Sequence, residues 1–287
     1  MNAINPDDDL CYLNGEYLPL SSARIPVLDR GFIFGDGIYE VVPVYRKRPF
    51  RLEPHLDRLQ RSLSEVRIDN PHTRDEWGAL IDRLIRSSTP ADLVVYLQVT
   101  RGVARRDFAF PRNVTPTVFA MSSALTRPSA GQRDVGMRTV SVPDLRWLRC
   151  DIKSVSLLGA VLARQHAAER GADEVVQHRD GRLTEGSASN IWLVKGGRVL
   201  APPRDHLILE GIRYRFIEEL CAQASIAFEA RVISMDEVRA ADELMLSAAT
   251  REVLPIVELD ARPIGDGRPG PVYRQLRRGY DAAIDAL

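Results

Sequence analysis

Short, apolar, β-branched runs alternate with helical patterns along both halves of the chain, and this alternation limits the fold more than any other feature. In the first half, LVVYLQVT and TVFAMS are typical of buried strands. Between strand candidates, Leu52, Leu56, Leu59 and Leu63 recur at helical spacing, which predicts an amphipathic helix. The Asn14-Gly15 pair predicts a hairpin turn. The sequence therefore predicts an α/β protein.

Two domains are expected, because 287 residues exceed what one small domain needs. Residues 123–136 are rich in Ser, Gly, Pro and charged residues and have no apolar periodicity, which predicts a linker. We therefore place a small α/β domain at residues 1–122 and a larger α/β domain at residues 137–287. In the larger domain the pattern predicts helices near residues 155–170 and 211–224, with strands and hairpins around them.

Composition excludes several classes of function. Lys plus Arg and Asp plus Glu number 39 each, so no overall positive field would attract nucleic acid or an anionic membrane. No apolar run approaches the roughly 20 residues that span a bilayer, and the start of the chain is acidic and polar where a secretory leader would be basic and then apolar. Three scattered cysteines and five histidines without paired spacing predict reduced thiols and no metal. We expect a cytoplasmic protein.

Single motifs in the chain are weak indicators of chemistry. FGDGIY lacks the third glycine of a dinucleotide-binding turn and is better interpreted as a tight turn. EGSASN lacks the pattern of a serine nucleophile elbow, and HRD lacks the other elements of a kinase catalytic loop. None of the three assigns a function.

The combination of motifs is more specific than any one of them. FGDGIYE and LEPHLDRL are followed in order by RWLRCDIKS, LTEGSASNIW and ILEGIRYRF. From about Tyr12 to about Asp260, this series resembles the fold-type-IV pyridoxal-phosphate enzymes, which include D-amino-acid, branched-chain and (R)-amine transaminases and aminodeoxychorismate lyases. RWLRCDIKS followed by LLGAVLARQ is most similar to the D-amino-acid transaminases. The resemblance implies two domains with pyridoxal 5′-phosphate between them, and a homodimer.

The resemblance assigns the cofactor lysine to Lys153. A transaminase needs a lysine amine that bonds to the cofactor aldehyde and later moves a proton between the substrate and the cofactor; otherwise a lone lysine is a solvated surface charge. Glu185 matches the family's carboxylate beside the pyridine nitrogen, where a negative charge keeps that nitrogen protonated. Alternatively, Glu185 caps the hairpin or pairs with Arg182.

Other positions match the family's cofactor contacts. Arg58 and the Gly211-Ile212-Arg213 turn fall on its phosphate-binding residues. Arg213 replaces an expected threonine and either adds charge to the phosphate site or points to solvent. The remaining matches lie around the cofactor ring or in the later phosphate-binding loop, where alanines replace the usual Ser and Thr. They are Ser187, Ser189, Asn190, Leu209, Ala248, Ala249 and Thr250.

The resemblance also places a site for the substrate carboxylate. Arg106 matches the family's carboxylate-binding arginine, and Tyr39 matches the accompanying hydroxyl. Phe108 stands where the D-amino-acid enzymes have a histidine, which removes one donor and affects substrate range more than reaction type. Alternatively, Arg105 and Arg106 are a solvated pair on a mobile loop.

The sequence therefore predicts a transaminase that moves an amino group from a D-amino acid, D-alanine in particular, to a 2-oxo acid such as 2-oxoglutarate. Two half-reactions imply ping-pong kinetics. An (R)-amine or branched-chain transaminase and an aminodeoxychorismate lyase are alternatives with the same fold. A non-catalytic binding protein is disfavoured by the intact Lys153 and Glu185.

Overall fold

The computed structural model describes residues 9–287. Residues 1–8, on which the expectation of no secretory leader rests, lie outside the described residues. Contacts divide the chain into two compact units, which we call unit 1 and unit 2. Unit 1 comprises the chain up to Thr126 together with Ile152–Ser156, and unit 2 comprises Arg127–Asp151 and Leu157–Leu287. No helix in the described part of the chain is both long and apolar enough to cross a membrane.

Unit 1 is built on a six-stranded antiparallel sheet with the strand order β2-β1-β6-β5-β3-β4. Its strands are β1 (Leu10–Leu13), β2 (Glu16–Pro19), β3 (Gly37–Tyr45), β4 (Arg48–Pro49), β5 (Leu93–Thr100) and β6 (Thr117–Ala124). Asn14 and Gly15 both have positive φ, as the predicted hairpin turn requires. The predicted strands at LVVYLQVT and TVFAMS are confirmed.

The helices of unit 1 are α1 (Arg30–Phe34), α2 (Leu52–Glu65) and α3 (Arg74–Ser87), after a short 3₁₀ turn at Leu20–Ser22. The predicted amphipathic helix is α2, which buries Leu56, Leu59 and Leu63 in the core against the sheet. Each of these side chains contributes roughly 1.5–3 kcal/mol by leaving water. Thr73 and Glu76 form a capping box that fixes the start of α3.

Unit 2 contains a nine-stranded mixed sheet. Eight strands follow the order β12-β11-β10-β13-β14-β7-β8-β9, and β15 pairs with β14. The strands are β7 (Met137–Pro143), β8 (Glu174–Arg179), β9 (Arg182–Leu183), β10 (Asn190–Lys195), β11 (Arg198–Ala201), β12 (Phe228–Ala230), β13 (Glu243–Ala248), β14 (Glu252–Leu259) and β15 (Arg262–Pro263). The helices are α4 (Ala130–Asp134), α5 (Leu158–Glu169), α6 (Ile212–Gln223), α7 (Met235–Arg239) and α8 (Pro271–Asp285).

The stretch expected to be a linker, residues 123–136, is more ordered than its composition indicates. Its first two residues continue β6, and Ser129 and Gln132 form a capping box at α4. Lys153, which we placed in the larger domain, lies in the segment Ile152–Ser156 that packs with unit 1. The helix expected from residue 155 begins at Leu158, because the Val155 amide instead donates to the Gly37 carbonyl.

Candidate active site

Lys153 lies on a short extended segment that pairs with the start of β3. The Tyr39 amide donates to the Lys153 carbonyl (3.0 Å), and the Val155 amide donates to the Gly37 carbonyl (3.0 Å). These bonds fix the backbone on both sides of the lysine. The Lys153 Nζ lies 4.1 Å from the centroid of the Tyr39 ring, within cation–π distance. Two residues predicted from the sequence are thus neighbours.

The chain contains three lysines, and the other two are engaged elsewhere. Lys47 donates to backbone carbonyls at the end of α3, and the Lys195 Nζ lies 2.9 Å from Asp242 Oδ1. Within residues 9–287, the Lys153 amine contacts an aromatic ring and has no hydrogen bond or ion pair. It is therefore the lysine amine best placed to react.

Arg58 is buried on α2, where Glu40 of β3 holds its guanidinium. The Arg58 Nε donates to Glu40 Oε1 (2.7 Å), the Arg58 Nη2 donates to Oε2 (2.9 Å), and His55 Nδ1 lies 2.8 Å from Oε2. Burial alone would raise the pKa of Glu40, but Arg58 and His55 hold it well below its usual range. Arg58 stays a predicted phosphate ligand, and Glu40 fixes the orientation of its guanidinium.

Asp36, in the FGDG turn, joins two buried arginines. The Arg101 Nε and Nη2 donate to its carboxylate (2.8 and 3.0 Å), and the Arg30 Nε donates to Oδ2 (2.7 Å). The Arg30 Nη1 also donates to the Asp107 carbonyl (2.6 Å), next to Arg106. Sequence reasoning interpreted FGDG only as a turn and missed this cluster, since nothing in the pattern indicates that Asp36 pairs with a residue 65 positions away.

Arg106 and Phe108 lie on an exposed loop. Phe108 is 77% exposed, and its ring centroid lies 5.5 Å from that of Phe34. The Arg106 guanidinium lies 5.3 Å from the Phe34 ring and 5.4 Å from the Phe108 ring. In the described chain no hydrogen bond or ion pair joins Arg106 to Tyr39, because the guanidinium faces these rings instead. Within unit 1 the predicted carboxylate-binding residues are therefore not in contact.

In unit 2, Glu185 is buried just after β9 and accepts four hydrogen bonds. The Arg146 Nη1 donates to Oε1 (2.5 Å), the Asn190 Nδ2 donates to Oε2 (3.1 Å), and the Leu209 amide contacts both oxygens (3.1 and 3.2 Å). Glu185 thus pairs with Arg146 and not with Arg182. Burial raises the pKa of Glu185, and the charge of Arg146 and the Leu209 amide offset this only in part.

Arg146 is a second residue that sequence reasoning missed, although it lies in the RWLRC segment that carried the resemblance. Asp144 fixes it through two hydrogen bonds, from Nε (2.9 Å) and from Nη2 (2.7 Å). The Arg179 Nε lies 3.2 Å from the same carboxylate, and the Thr184 hydroxyl donates to it (3.0 Å). Burial alone would raise the pKa of Asp144, but Arg146 and Arg179 lower it to about 2. A buried charge network therefore supports Glu185.

Stability should depend on Asp144 in a defined pH range. Its pKa is lowered from 3.8 to about 2 on folding, so its contribution is present above pH 3.8 and is lost as the pH falls towards 2. We expect Asp144→Asn to lower the free energy of unfolding by at least about 2 kcal/mol at pH 7. Measured by urea unfolding, the difference in free energy of unfolding between wild type and Asp144→Asn should be smaller at pH 3 than at pH 7. An equal difference at both pH values would contradict the assignment.

The start of α6 is held in place by Asn190 and has no side-chain cap. Gly211 is the N-cap residue and gives no side-chain cap, so the Ile212 and Arg213 amides have no acceptor within the helix. Asn190 holds this segment by accepting from the Gly211 amide (3.2 Å) and donating to the Leu209 carbonyl (2.9 Å). A Cβ at Gly211 would lie 2.3 Å from Asn190 Oδ1, so a larger residue here would displace the Asn190 side chain. Such a helix start favours a phosphate.

Arg213 does not point to solvent, which was one of the two alternatives for its side chain. It is 2% exposed, its Nε donates to the Tyr280 hydroxyl of α8 (2.9 Å), and its Nη2 donates to the Ala249 carbonyl (3.5 Å). Ala249 and Ala248 stand where the family has Ser and Thr. The arginine therefore joins the start of α6 to the 248–250 turn through the backbone of that turn, which its alanine side chains could not do.

We expect Arg213→Thr, which restores the family's residue, to lower the free energy of unfolding by about 2–4 kcal/mol. The substitution leaves a cavity and removes the donor to the Tyr280 hydroxyl. Urea denaturation measures the effect. The matched control is Arg215→Thr, because Arg215 is exposed and pairs with Glu210 at the surface, where a loss below about 1 kcal/mol is expected. Equal losses in the two variants would disprove the role of Arg213.

The remaining predicted residues of unit 2 occupy different surroundings. The Ser187 hydroxyl donates to Glu174 Oε1 (2.5 Å), so it faces a buried carboxylate. The Ser189 Oγ is buried and has no hydrogen-bond partner among the described residues. Ala248 ends β13, and Thr250 is exposed in the turn that follows. Of these, the Ser189 hydroxyl is the one available to an added group.

Comparison with known proteins decides the family. The sequence model for amino-transferase class IV matches residues 37–259. The chain belongs to the class IV aminotransferases. It is 38% identical to a D-alanine aminotransferase of Staphylococcus aureus over 276 residues, which cover 96% of this chain and 98% of that one. It is 35% identical to the D-alanine aminotransferase of Bacillus licheniformis over 271 residues, covering 94% and 95%.

Solved structures share the fold of this aminotransferase. The branched-chain amino acid aminotransferase of Escherichia coli superposes with a TM-score of 0.91 at 22% identity, over 96% of this chain and 94% of that one. The branched-chain enzyme of Thermobaculum terrenum gives 0.86 at 24% identity, over 98% and 95%. At this identity the likeness shows the fold alone, and it confirms the predicted fold-type-IV architecture.

Pyridoxal 5′-phosphate is the cofactor of this family and hence of this aminotransferase. The residues of the chain fit it. The start of α6, which no side chain caps, suits its phosphate, and the buried Ser189 hydroxyl has no partner in the described chain. Burial has raised the pKa of Glu185, so this carboxylate gains from a positive charge such as a protonated pyridine nitrogen. The Lys153 amine has no hydrogen bond or ion pair in the described chain, so it is available to bond to the cofactor aldehyde.

Proposed function

We propose that this aminotransferase transfers the amino group of a D-amino acid, D-alanine in particular, to a 2-oxo acid such as 2-oxoglutarate. The observation that carries the proposal is the amine of Lys153: a strand pairing fixes the backbone on both sides of this residue, and no hydrogen bond or ion pair engages the amine in residues 9–287. The names of the relatives that share 35–38% of the sequence over nearly its full length support D-alanine as the donor.

In this proposal Lys153 is both the covalent anchor and the base. Pyridoxal phosphate, when bound, supplies an electron sink for the charge that develops when the substrate α-carbon loses its proton. The Lys153 Nζ would take that proton from the α-carbon of the donor and pass it to the cofactor carbon bonded to the nitrogen, and on the acceptor it would move a proton in the opposite direction. The face of the Tyr39 ring, 4.1 Å away, keeps the amine in place. Donor and acceptor react in turn, which gives ping-pong kinetics.

The buried residues of unit 2 hold charge in place rather than move protons. Glu185 stabilises a protonated pyridine nitrogen, and Arg146 and the Leu209 amide keep the carboxylate oriented. The amides of Ile212 and Arg213 take the phosphate, with Arg58 as a further ligand. Asn190 fixes both segments at once, since its side chain contacts Glu185 and the Gly211 amide.

Arg106 recognises the substrate carboxylate in this proposal. We expect Arg106→Gln to raise the KM for D-alanine by roughly tenfold or more, since a hydrogen bond to a charged group contributes about 1.5–3 kcal/mol. Turnover at saturation should change less. Steady-state kinetics measures both constants. Arg105→Gln is the matched control, because Arg105 is an exposed neighbour. Equal KM values for wild type and Arg106→Gln would show that Arg106 does not bind the substrate carboxylate.

A spectroscopic experiment tests whether D-alanine is the amino donor. The cofactor-loaded protein is mixed with D-alanine or with L-alanine, and the visible band of the bound cofactor is followed. Bleaching with D-alanine alone supports the proposal, and formation of D-glutamate on adding 2-oxoglutarate completes it. Bleaching by L-amino acids alone points to a branched-chain transaminase. The exposed Phe108, in place of histidine, is the observation that favours this second candidate or an (R)-amine transaminase.

We further propose that the enzyme is a cytoplasmic homodimer. Apolar side chains on α5 are exposed, among them Leu158 (71%), Val161 (58%) and Leu162 (61%), and Leu145 and Leu148 add to them. An apolar surface of this kind is typical of a protein interface. Light scattering of the native particle tests the dimer.

The cysteines of the chain are free and buried, which suits a reducing compartment.

A further inference from the structure

We propose that a cavity in unit 2, outside the candidate active site, binds a small organic dianion such as a phosphate monoester or a dicarboxylate. The cavity has a volume of about 580 Å³ and is lined by residues of α4, α8 and the segments that precede them. We call it the α4–α8 cavity. None of its lining residues is among those assigned to the cofactor or the substrate.

The lining of the α4–α8 cavity carries more positive than negative charge. Four arginines of the lining and the adjacent Arg127 stand against three carboxylates, Asp134, Asp281 and the buried Glu252, which leaves an excess of two positive charges. The arginines of the lining are Arg133, Arg274, Arg277 and Arg278. A ligand with two negative charges would balance this excess, and planar guanidinium groups bind carboxylates and phosphates through paired hydrogen bonds.

The inner arginines of the cavity are held rigidly. The Arg133 Nη2 and the Arg277 Nη1 both donate to Glu252 Oε2, each at 2.7 Å, and Arg277 also donates to Asp281 from Nη2 (2.5 Å). Glu252, a buried residue of β14, therefore fixes one arginine of α4 and one arginine of α8 before any ligand binds. Preorganised donors of this kind cost little to order on binding.

The outer arginines are available to a ligand. Arg274 and Arg278 lie one turn apart on α8, so their side chains share a face of the helix. Both are exposed, and within residues 9–287 neither forms an ion pair. Arg274 and Arg278 are therefore the two arginines of the lining that pair with no carboxylate in the described chain.

Two donors in the lining have no acceptor. The Arg133 Nε and the Tyr273 hydroxyl are buried and lack a hydrogen-bond partner in the described chain. Burial raises the pKa of Tyr273 to about 12, so the hydroxyl keeps its proton and remains a donor. Leaving a buried donor unpaired is unfavourable, and the oxygen atoms of a bound anion would satisfy both.

The size of the cavity indicates that the ligand has a carbon skeleton in addition to its negatively charged groups. About 580 Å³ lies within the range of roughly 300–1,000 Å³ that is usual for small-molecule sites, and it exceeds what a bare phosphate ion fills. Pro128, Ala130 and Pro269 supply apolar lining for that skeleton.

Calorimetric titration of the cofactor-loaded enzyme tests the proposal. Glycerol 3-phosphate and succinate are titrated separately at fixed ionic strength, and the tighter probe identifies the kind of dianion. In Arg274→Gln/Arg278→Gln we expect one site per chain to weaken by about tenfold or more. The matched control, Arg112→Gln/Arg262→Gln, removes two exposed charges elsewhere and should bind as wild type does. No binding of either probe, or equal binding by both variants, overturns the proposal.

Tyr273→Phe provides a test that does not depend on charge. The substitution removes only the unpartnered hydroxyl, so the melting temperature without ligand should stay the same or rise. Affinity for the tighter probe should fall several-fold, because one donor to the anion is lost. Wild-type affinity in Tyr273→Phe contradicts the proposal.

Discussion

Replacement of Lys153 by alanine should reduce transamination by about 10³-fold or more. A positioned acid–base group alone contributes about 10²–10⁴-fold, and the variant also loses the covalent anchor. The fold should survive, because the described contact of the side chain is with the face of the Tyr39 ring, while the backbone bonds to β3 do not depend on the side chain. Turnover of D-alanine with 2-oxoglutarate is the measurement.

Because the chain has only three lysines, the role of Lys153 can be compared with that of both others. Lys195→Ala removes an exposed amine that pairs with Asp242, and it should leave turnover unchanged. Borohydride reduction of the loaded enzyme, followed by peptide mapping, should place the cofactor on Lys153 and leave Lys47 and Lys195 unlabelled. Turnover in Lys153→Ala equal to wild type, or a label on another lysine, would disprove the central assignment.

Glu185→Gln should lower turnover by about 10²–10³-fold, the usual effect of removing one preorganised electrostatic contact. The amide keeps the size of the carboxylate and can still accept from the Leu209 amide, but it cannot stabilise a protonated pyridine nitrogen. The loss should fall mainly on kcat, since the substrate contacts are unchanged. Steady-state kinetics and the absorption of the bound cofactor provide the measurements.

The control for this variant is Glu210→Gln. Glu210 lies close by in the sequence but pairs with Arg215 near the surface, so its loss should change turnover by less than about twofold. Glu185→Asp, which keeps the charge at a shorter reach, should recover part of the activity. If Glu185→Gln keeps wild-type turnover, the carboxylate is a structural partner of Arg146 and has no role in the reaction.

Local pattern was enough to predict the elements that surround the site. The spacing of Leu52, Leu56, Leu59 and Leu63 predicted α2 because a helix buries one face, and the structure confirms it. The order of motifs indicated the family, which comparison confirmed. The roles given to Lys153 and Glu185 stay predictions, supported by the contacts that the structure adds.

Side-chain pairing over long separations could not be predicted from one sequence. Arg146 and Glu185 are 39 residues apart, and neither spacing nor composition indicates that they meet. The start of α5 was misplaced for a similar reason, since the Val155 amide bonds to Gly37 across the fold and not within a helix. The burial of Arg213 depended on Tyr280, a residue of the last helix.

That last contact has a consequence for cofactor binding. Where each phosphate-binding turn has its own hydroxyl donor, the sequence of one turn can change without affecting the other. Here one guanidinium serves both the start of α6 and the 248–250 turn, and it rests on α8. If these turns bind the phosphate as we propose, a substitution at Tyr280 in the last helix should therefore change cofactor affinity through Arg213.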